Sequence, residues 1–281
     1  SWQQHYGAPA TDAIMELSMQ PPTLDITPAD PQADWATKLE GQLINGHTIR
    51  RAFDGDPADL PGFKEGAWWV QDAAAAFPVT LFGDLAGKTV IDLCAAPGGK
   101  TAQLIAAGAQ VTAVDSASKR LKTLRGNLSR LGMKAQCVMA DGRSFAPAEK
   151  VDAVLIDAPC SATGTLRRRP DILRGRKPDE ITALATLQTA LLRQAAGWLK
   201  PDGCLIYATC SLQHEEGEDV AEAIAADPGS GLTPFPVSTE EAGAFAAAVT
   251  ATGTVRLRPD LFADIGGVDG FFVARFRASD G

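Results

Sequence analysis

Two cysteines stand where a thiol can do chemistry. Cys160 lies in Asp157-Ala158-Pro159-Cys160-Ser161 and Cys210 in Ala208-Thr209-Cys210-Ser211, each segment just past a short apolar run, Ala153 to Ile156 and Cys204 to Tyr207. Most cysteines are packed structural residues, the reading that suits Cys94, Cys137 and Cys204. A thiol in a polar loop beyond a strand end is different, because it is placed to attack an electrophilic carbon. A free thiol has a pKa of about 8.5, so its surroundings must activate it. Asp157 is the nearest acid, and a carboxyl group that holds or shares a proton can relieve charge on a ring under attack.

A second constellation precedes these cysteines. The loop Cys94-Ala95-Ala96-Pro97-Gly98-Gly99-Lys100 joins the strand-like Thr89 to Leu93 to a helical stretch, and its small residues let backbone approach a ligand at a helix N-terminus. Seven residues with almost no bulk exceed what a tight turn requires. Lys100 is either a surface cation or a partner for a ligand carboxylate. Asp115 ends the next strand, where its carboxylate can accept from both hydroxyls of an adenosine ribose or can cap a helix. Asp141, in Ala140-Asp141-Gly142-Arg143, either reads an adenine edge or forms an Asp-Gly turn. These features suit a nicotinamide cofactor and S-adenosylmethionine equally. The two cysteines add a further requirement, one that methylation of a cytosine at carbon 5 would meet, because that reaction needs a thiol. Thiolate addition at carbon 6 makes an enamine whose carbon 5 attacks a sulfonium methyl group, after which a base removes the carbon 5 proton and the thiol is eliminated.

The elements that must position these residues follow from periodicity. From Lys88 onward, short apolar strands alternate with helical periods, which predicts an α/β fold with a mainly parallel sheet. Strands are expected at 89–93, 111–115, 136–139, 153–156 and 204–207, with later ones at 255–257 and 271–276. Leu121, Leu124, Leu128 and Leu131 mark one buried helix face, and Ile181, Leu184, Leu187 and Leu191 another. A further helix is expected over 215–226. Residues 1–85 mix short apolar segments with turn formers and predict a small α+β domain ahead of a catalytic domain over 86–281. Strands are expected there at 24–26 and 48–53, with a helix over 32–40.

Composition narrows the partners. No apolar run approaches the roughly 20 residues that cross a membrane. An odd cysteine count argues against a closed disulfide framework, and the absence of a signal-peptide pattern at Ser1 to Tyr6 reads the thiols as cytosolic. The net charge of −8 is awkward for a nucleic-acid partner. Yet Arg167, Arg168, Arg169, Arg174, Arg176 and Lys177 cluster around a single acid, Asp171, as a local basic patch or a solvated charged loop.

The motifs DLCAAPGGKT at 92–101, DAPCSATG at 157–164 and YATCS at 207–211 resemble those of the RNA cytosine-C5 methyltransferase family. The likeness is to its bacterial branch of the Sun (Fmu) type, which acts on small-subunit ribosomal RNA. Leu60-Pro61-Gly62-Phe63, Val70-Gln71-Asp72-Ala73 and Asp269-Gly270-Phe271-Phe272 extend it over nearly the whole chain. The resemblance implies a Rossmann-like class I methyltransferase sheet with an RNA-recognition-like domain before it, S-adenosyl-L-methionine as cofactor and no metal. It implies Cys210 as nucleophile and Cys160 as the residue that promotes product release. It also implies cofactor contacts from Cys94, Ala95, Ala96, Pro97, Gly98, Gly99, Lys100, Asp115, Asp141 and Asp157. Chemistry alone does not rank the two thiols, since DNA cytosine methyltransferases place the nucleophile in the Pro-Cys motif. A cytoplasmic monomer acting on 16S ribosomal RNA is expected, with the basic patch helping to bind RNA and the target base unstacked. Ser1 to Gly7 resembles the interior of a family helix, and the chain has no room for the helical RNA-binding domain that some members carry ahead of this region. Two rivals remain at this level: a nicotinamide-dependent oxidoreductase, which leaves both cysteines unexplained, and an RNA-binding assembly factor without turnover.

Overall fold

The structure, a computed structural model, describes residues 2–174 and 177–279, the side chains at 173 and 174 excepted. Two helices, α1 (Trp2–Tyr6) and α2 (Ala8–Ser18), lead into four short strands: β1 (Leu24–Pro28), β2 (Gln42–Leu43), β3 (Ile49–Arg51) and β4 (Trp68–Val70). They form an antiparallel sheet in the order β2-β3-β1-β4. Leu24, Ile26, Leu39, Ile49 and Trp68 pack its core. The helix expected over 32–40 contracts to α3 (Trp35–Lys38). Asp34 starts it by accepting from the Thr37 N–H, and Glu40 ends it in a left-handed conformation at φ 52°.

Helix α4 (Ala73–Thr80) leads into the large sheet. There the apolar runs become β5 (Thr89–Leu93), β6 (Gln110–Asp115), β7 (Gln136–Met139), β8 (Val151–Asp157) and β9 (Leu199–Thr209). All pair in parallel, in the order β9-β8-β5-β6-β7. The intervening helices α5 (Gly99–Ala106), α6 (Ser118–Arg130) and α7 (Pro178–Ala196) supply the crossovers. The chain then adds α8 (Glu218–Ala225), β10 (Leu232–Pro234), α9 (Thr239–Ala242), β11 (Val255–Leu257) and β12 (Phe271–Ala278), with β12 antiparallel to β9. Buried aliphatic and aromatic side chains from β5, β8 and β9 form the core, among them Ile91, Leu93, Val154, Ile156, Leu205 and Tyr207. Leu121, Leu124 and Leu128 of α6 are buried as their spacing requires. On α7 only Leu191 of the expected stripe is fully buried, because a polar residue, Gln188, occupies the inner face instead.

The basic run beginning at Arg167 is not one solvent-facing patch. Arg167 is buried, donates to the Gly266 carbonyl at 2.6 Å and lies 3.6 Å from Asp72. Arg168 donates to Asp72 at 2.8 Å and to Asp269 at 3.2 Å. Two carboxylates behind the loop draw these guanidinium groups inward, which leaves the Arg167 side chain buried and that of Arg168 only partly exposed. Arg169 is exposed but paired with Asp171, and Lys177 is exposed at the start of α7. Arg176 and the side chain of Arg174 lie outside the described residues.

A second buried ion pair joins two strands of the small sheet and reaches the segment before β12. Arg50 donates to both Asp25 oxygens at 2.7 Å and to the carbonyls of Ile265 and Gly267 at 2.6 Å, while Asp25 also accepts from the Ala73 N–H. Removing one partner leaves a buried charge without compensation, which costs about 3–5 kcal/mol. Arg50→Ala should lose that much stability in urea unfolding; a loss below ~1 kcal/mol would show that the pair is dispensable.

Candidate active site

Strands in an open parallel sheet deliver their following loops to one edge, and here β5, β6, β8 and β9 bring the expected residues to it. After β5, Cys94 adopts a left-handed backbone at φ 63°, an uncommon conformation outside glycine. Gly98 caps α5 at φ 104°, and a Cβ there would meet Leu124 at 3.0 Å, so the backbone lies tight on α6. That helix holds the loop in place: Arg120 donates to the Ala96 carbonyl at 2.6 Å and Asn127 to the Pro97 carbonyl at 2.9 Å.

Asp115 closes the loop from the β6 side. Its carboxylate accepts from the Ala96 N–H at 3.2 Å and the Ala117 N–H at 3.1 Å, with Arg120 at 3.3 Å. It is not the cap of α6, since that position belongs to Ala117. Asp141 does form the turn, accepting from the Arg143 N–H at 2.9 Å, and hydrogen bonds from Arg143 hold its carboxyl down at about 2. A cavity of about 160 Å³ lies between these loops, lined by Cys94, Asp115, Ser116, Asp141 and Pro159. The Cys94 thiol is pushed up to about 12 by burial and then by Asp157 and Asp115. The Cys94 end of the loop on one wall and two acceptor carboxylates on the other fit part of an adenosine-containing cofactor, whereas Pro97, Gly98 and Gly99 line a separate cavity of about 300 Å³ beside Trp69 and Arg130.

Lys100 is buried and donates to Asp157 Oδ2 at 2.8 Å, so it is not a surface cation. Burial alone would lower its pKa, but the Asp157 carboxylate raises it and keeps the ammonium charged. Beyond Asp157, the loops after β8 and β9 bring Cys160 and Cys210 together with their sulfur atoms 3.4 Å apart. Hydrogen bonding to the Cys210 sulfur, followed by burial, raises the Cys160 thiol well above its ordinary value, so Cys160 keeps its proton. Cys204 is packed in β9, its thiol raised to about 11 by burial. Among the described residues no group of three His, Cys, Asp or Glu can hold a metal ion, and no helix is long and apolar enough to cross a membrane. Sequence reasoning missed Glu216, Gln188, Ser161 and Ser211, which surround the cysteine pair. Glu216 sits in the acidic run Glu215-Glu216-Gly217-Glu218-Asp219, where nothing local marks the one buried carboxylate.

The parallel order β9-β8-β5-β6-β7, extended by antiparallel β12, and the crevice at its carboxyl edge define a Rossmann-like class I methyltransferase fold. Residues 80–277 match the family described as 16S rRNA methyltransferase RsmB/F, and the chain belongs to that family, whose cofactor is S-adenosyl-L-methionine. It is 44% identical over 195 residues to the ribosomal RNA small subunit methyltransferase B of an Enterobacter species, covering 65% of this chain and 46% of that protein. The Citrobacter koseri protein of the same name is 39% identical over 238 residues, covering 79% and 56%. A solved methyltransferase homologue from Pyrococcus horikoshii superposes with a TM-score of 0.78 at 26% identity, over 99% of this chain and 93% of that one. The chain thus spans about half the length of the curated relatives it matches. A nicotinamide oxidoreductase is set aside by the family.

Asp92 lies under the site, fully buried, with the Thr101 hydroxyl donating to it at 2.5 Å. Burial raises its carboxyl from 3.8 to about 7, partly opposed by Thr101. The native state therefore keeps a proton that the unfolded chain releases between about pH 4 and 7, and this contribution to stability is lost as pH rises through that window. In urea unfolding across pH, Asp92→Asn should gain on the wild type by up to ~1.4 kcal/mol per pH unit there. Parallel curves would contradict the buried, protonated carboxyl.

Proposed function

We propose that this chain carries the catalytic machinery that methylates carbon 5 of a cytosine in RNA, 16S ribosomal RNA by its family, through a covalent Cys210–cytosine intermediate. The observation that carries the proposal is the meeting of two thiols at 3.4 Å beside a Lys100–Asp157 pair at the cofactor edge of the sheet. S-adenosyl-L-methionine supplies an electrophilic methyl group when bound. Cys94 to Lys100, Asp115, Asp141 and Asp157 would hold it.

The residues divide the work between the two thiols. By the likeness of its Thr-Cys segment to the family's, Cys210 is the thiol that attacks carbon 6 of the ring, with Cys160 3.4 Å away as its partner. Asp157, with one oxygen held by Lys100, offers the other to the ring edge at nitrogen 3 and stabilises the protonated ring. After methylation a water molecule takes the carbon 5 proton as the Cys210–carbon 6 bond breaks, and the protonated Cys160 thiol assists departure of the Cys210 sulfur 3.4 Å away. Both thiols, Asp157 and Lys100 come from one chain, in keeping with a monomer working on ribosomal RNA in the cytoplasm.

RNA contact is assigned to the N-terminal sheet, read as a small domain over 1–85, and to α6. Exposed Lys119, Lys122 and Arg125 stand on that helix, which contains no acidic residue. Arg169 and Lys177 complete the basic contribution from the second loop.

Two experiments test these assignments. In the presence of cofactor and ribosomal RNA, Cys160→Ala should accumulate a covalent protein–RNA adduct on denaturing gels, while Cys210→Ala forms none and loses methyl transfer. An adduct that persists in the Cys210 variant and vanishes in the Cys160 variant would reverse the roles. Lys119→Glu with Lys122→Glu should weaken RNA binding severalfold and reduce its salt dependence by about one phosphate contact per lysine. Unchanged affinity and salt slope would remove α6 from the RNA surface.

A further inference from the structure

Glu216 is fully buried in the short turn His214–Glu216 that follows the second cysteine loop. Its Oε1 accepts from the Ser161 N–H at 2.8 Å and from Gln188 Nε2 at 3.2 Å. Its Oε2 accepts from the Ser161 hydroxyl at 2.5 Å and the Ser211 hydroxyl at 2.6 Å. Ser161 and Ser211 are the residues immediately after Cys160 and Cys210, and both are fully buried. One carboxylate therefore grips both cysteine loops at the position next to each thiol.

The surrounding groups reinforce the grip. Gln188 of α7 also donates to the Pro159 carbonyl at 2.9 Å, on the other side of Cys160. Tyr207 of β9 points its hydroxyl at both the Glu216 carbonyl, at 2.6 Å, and the Gln188 amide oxygen, at 3.0 Å. Among the described residues no cation pairs with the Glu216 carboxylate. A buried carboxylate held by hydrogen bonds alone is costly relative to an apolar side chain of the same size. Its benefit must lie in geometry, because a fully satisfied polar network fixes its members more narrowly than packing does.

We infer that Glu216 is a positioning residue for the thiol pair, holding Ser161 and Ser211 so that the Cys160 and Cys210 sulfur atoms converge. The inference rests on the methyltransferase reading of the two cysteines, and it adds a residue that touches neither thiol. Its carboxylate also sits close enough to Cys160 to favour the protonated thiol there. Glu216→Gln keeps size and one acceptor oxygen but presents an NH₂ group to donors that need an acceptor.

The test uses the full chain in two arms. In the first, the rate of RNA adduct formation is compared between Cys160→Ala and Cys160→Ala/Glu216→Gln at saturating cofactor and ribosomal RNA. The second variant should be slower by roughly tenfold to a hundredfold, with cofactor affinity unchanged. In the second, iodoacetamide labelling of Cys160 and Cys210 is followed by peptide mass spectrometry across pH. Glu216→Gln alone should shift the Cys160 profile to lower pH, which lower stability by itself does not do. Ser161→Ala/Ser211→Ala should slow adduct formation in the same way, and its effect should not add to that of Glu216→Gln. This serine variant carries the test if Glu216→Gln does not fold. Equal adduct rates with an unchanged labelling profile overturn the positioning role. If Cys160→Ala itself forms no adduct, the covalent reading fails, while the labelling arm still decides whether Glu216 governs the thiols.

Discussion

The site depends on the parallel register of β8 and β9, which pairs Asp157 with Ala208 at the edge of the sheet. Each strand continues only two or three residues beyond that pair before reaching its cysteine. Two loops launched side by side at the same height can hardly avoid each other, and their sulfur atoms meet at 3.4 Å. The Gly164 N–H donates to the Cys210 carbonyl at 3.0 Å and the Leu212 N–H to the Thr163 hydroxyl at 3.0 Å, which stitches the loops together beyond the thiols. A slip of either strand would turn its side chains to the opposite face and separate the pair.

The neighbouring register between β8 and β5 extends the same logic to the cofactor side. Ile156 pairs with Leu93, so Asp157 and the glycine loop emerge next to each other, and Lys100 reaches back from α5 to close the gap. Lys100 is thereby shared between two functions. Its backbone belongs to the glycine loop after β5, whereas its ammonium orients Asp157 at the end of β8, the acid proposed to meet the substrate ring. The α6 contacts from Arg120 and Asn127 then fix that loop from the side, and Arg130 of the same helix donates to the Phe63 carbonyl of the N-terminal region at 2.6 Å. One helix thus carries the geometry of the small sheet to the cofactor loop.

Much of this was legible in the sequence because it rests on periodicity and on strand ends. The runs at Thr89 to Leu93 and Gln136 to Met139 coincide with their strands residue for residue, since short apolar runs between polar turns have few other uses in an α/β chain. Ala73 to Thr80 was not singled out as a helix, because its alanine run shows little amphipathic pattern and Pro78 argues against a helix interior. The arginine run misled for a tertiary reason. Local composition cannot reveal that Asp72 and Asp269, far away in sequence, meet behind Arg167 and Arg168. Glu216 was hidden in the same way, one acid among several until the fold turned it inward.

The central claim, that Cys210 bonds to the substrate ring, is tested most directly with RNA containing 5-fluorocytosine, whose fluorine cannot leave as a proton does and so arrests the adduct. After incubation with cofactor and digestion, tandem mass spectrometry locates the modified peptide. The account predicts the nucleotide on Cys210, in the peptide that contains Tyr207 to Ser211. A nucleotide attached to Cys160 instead, with Cys210 unmodified, would contradict it.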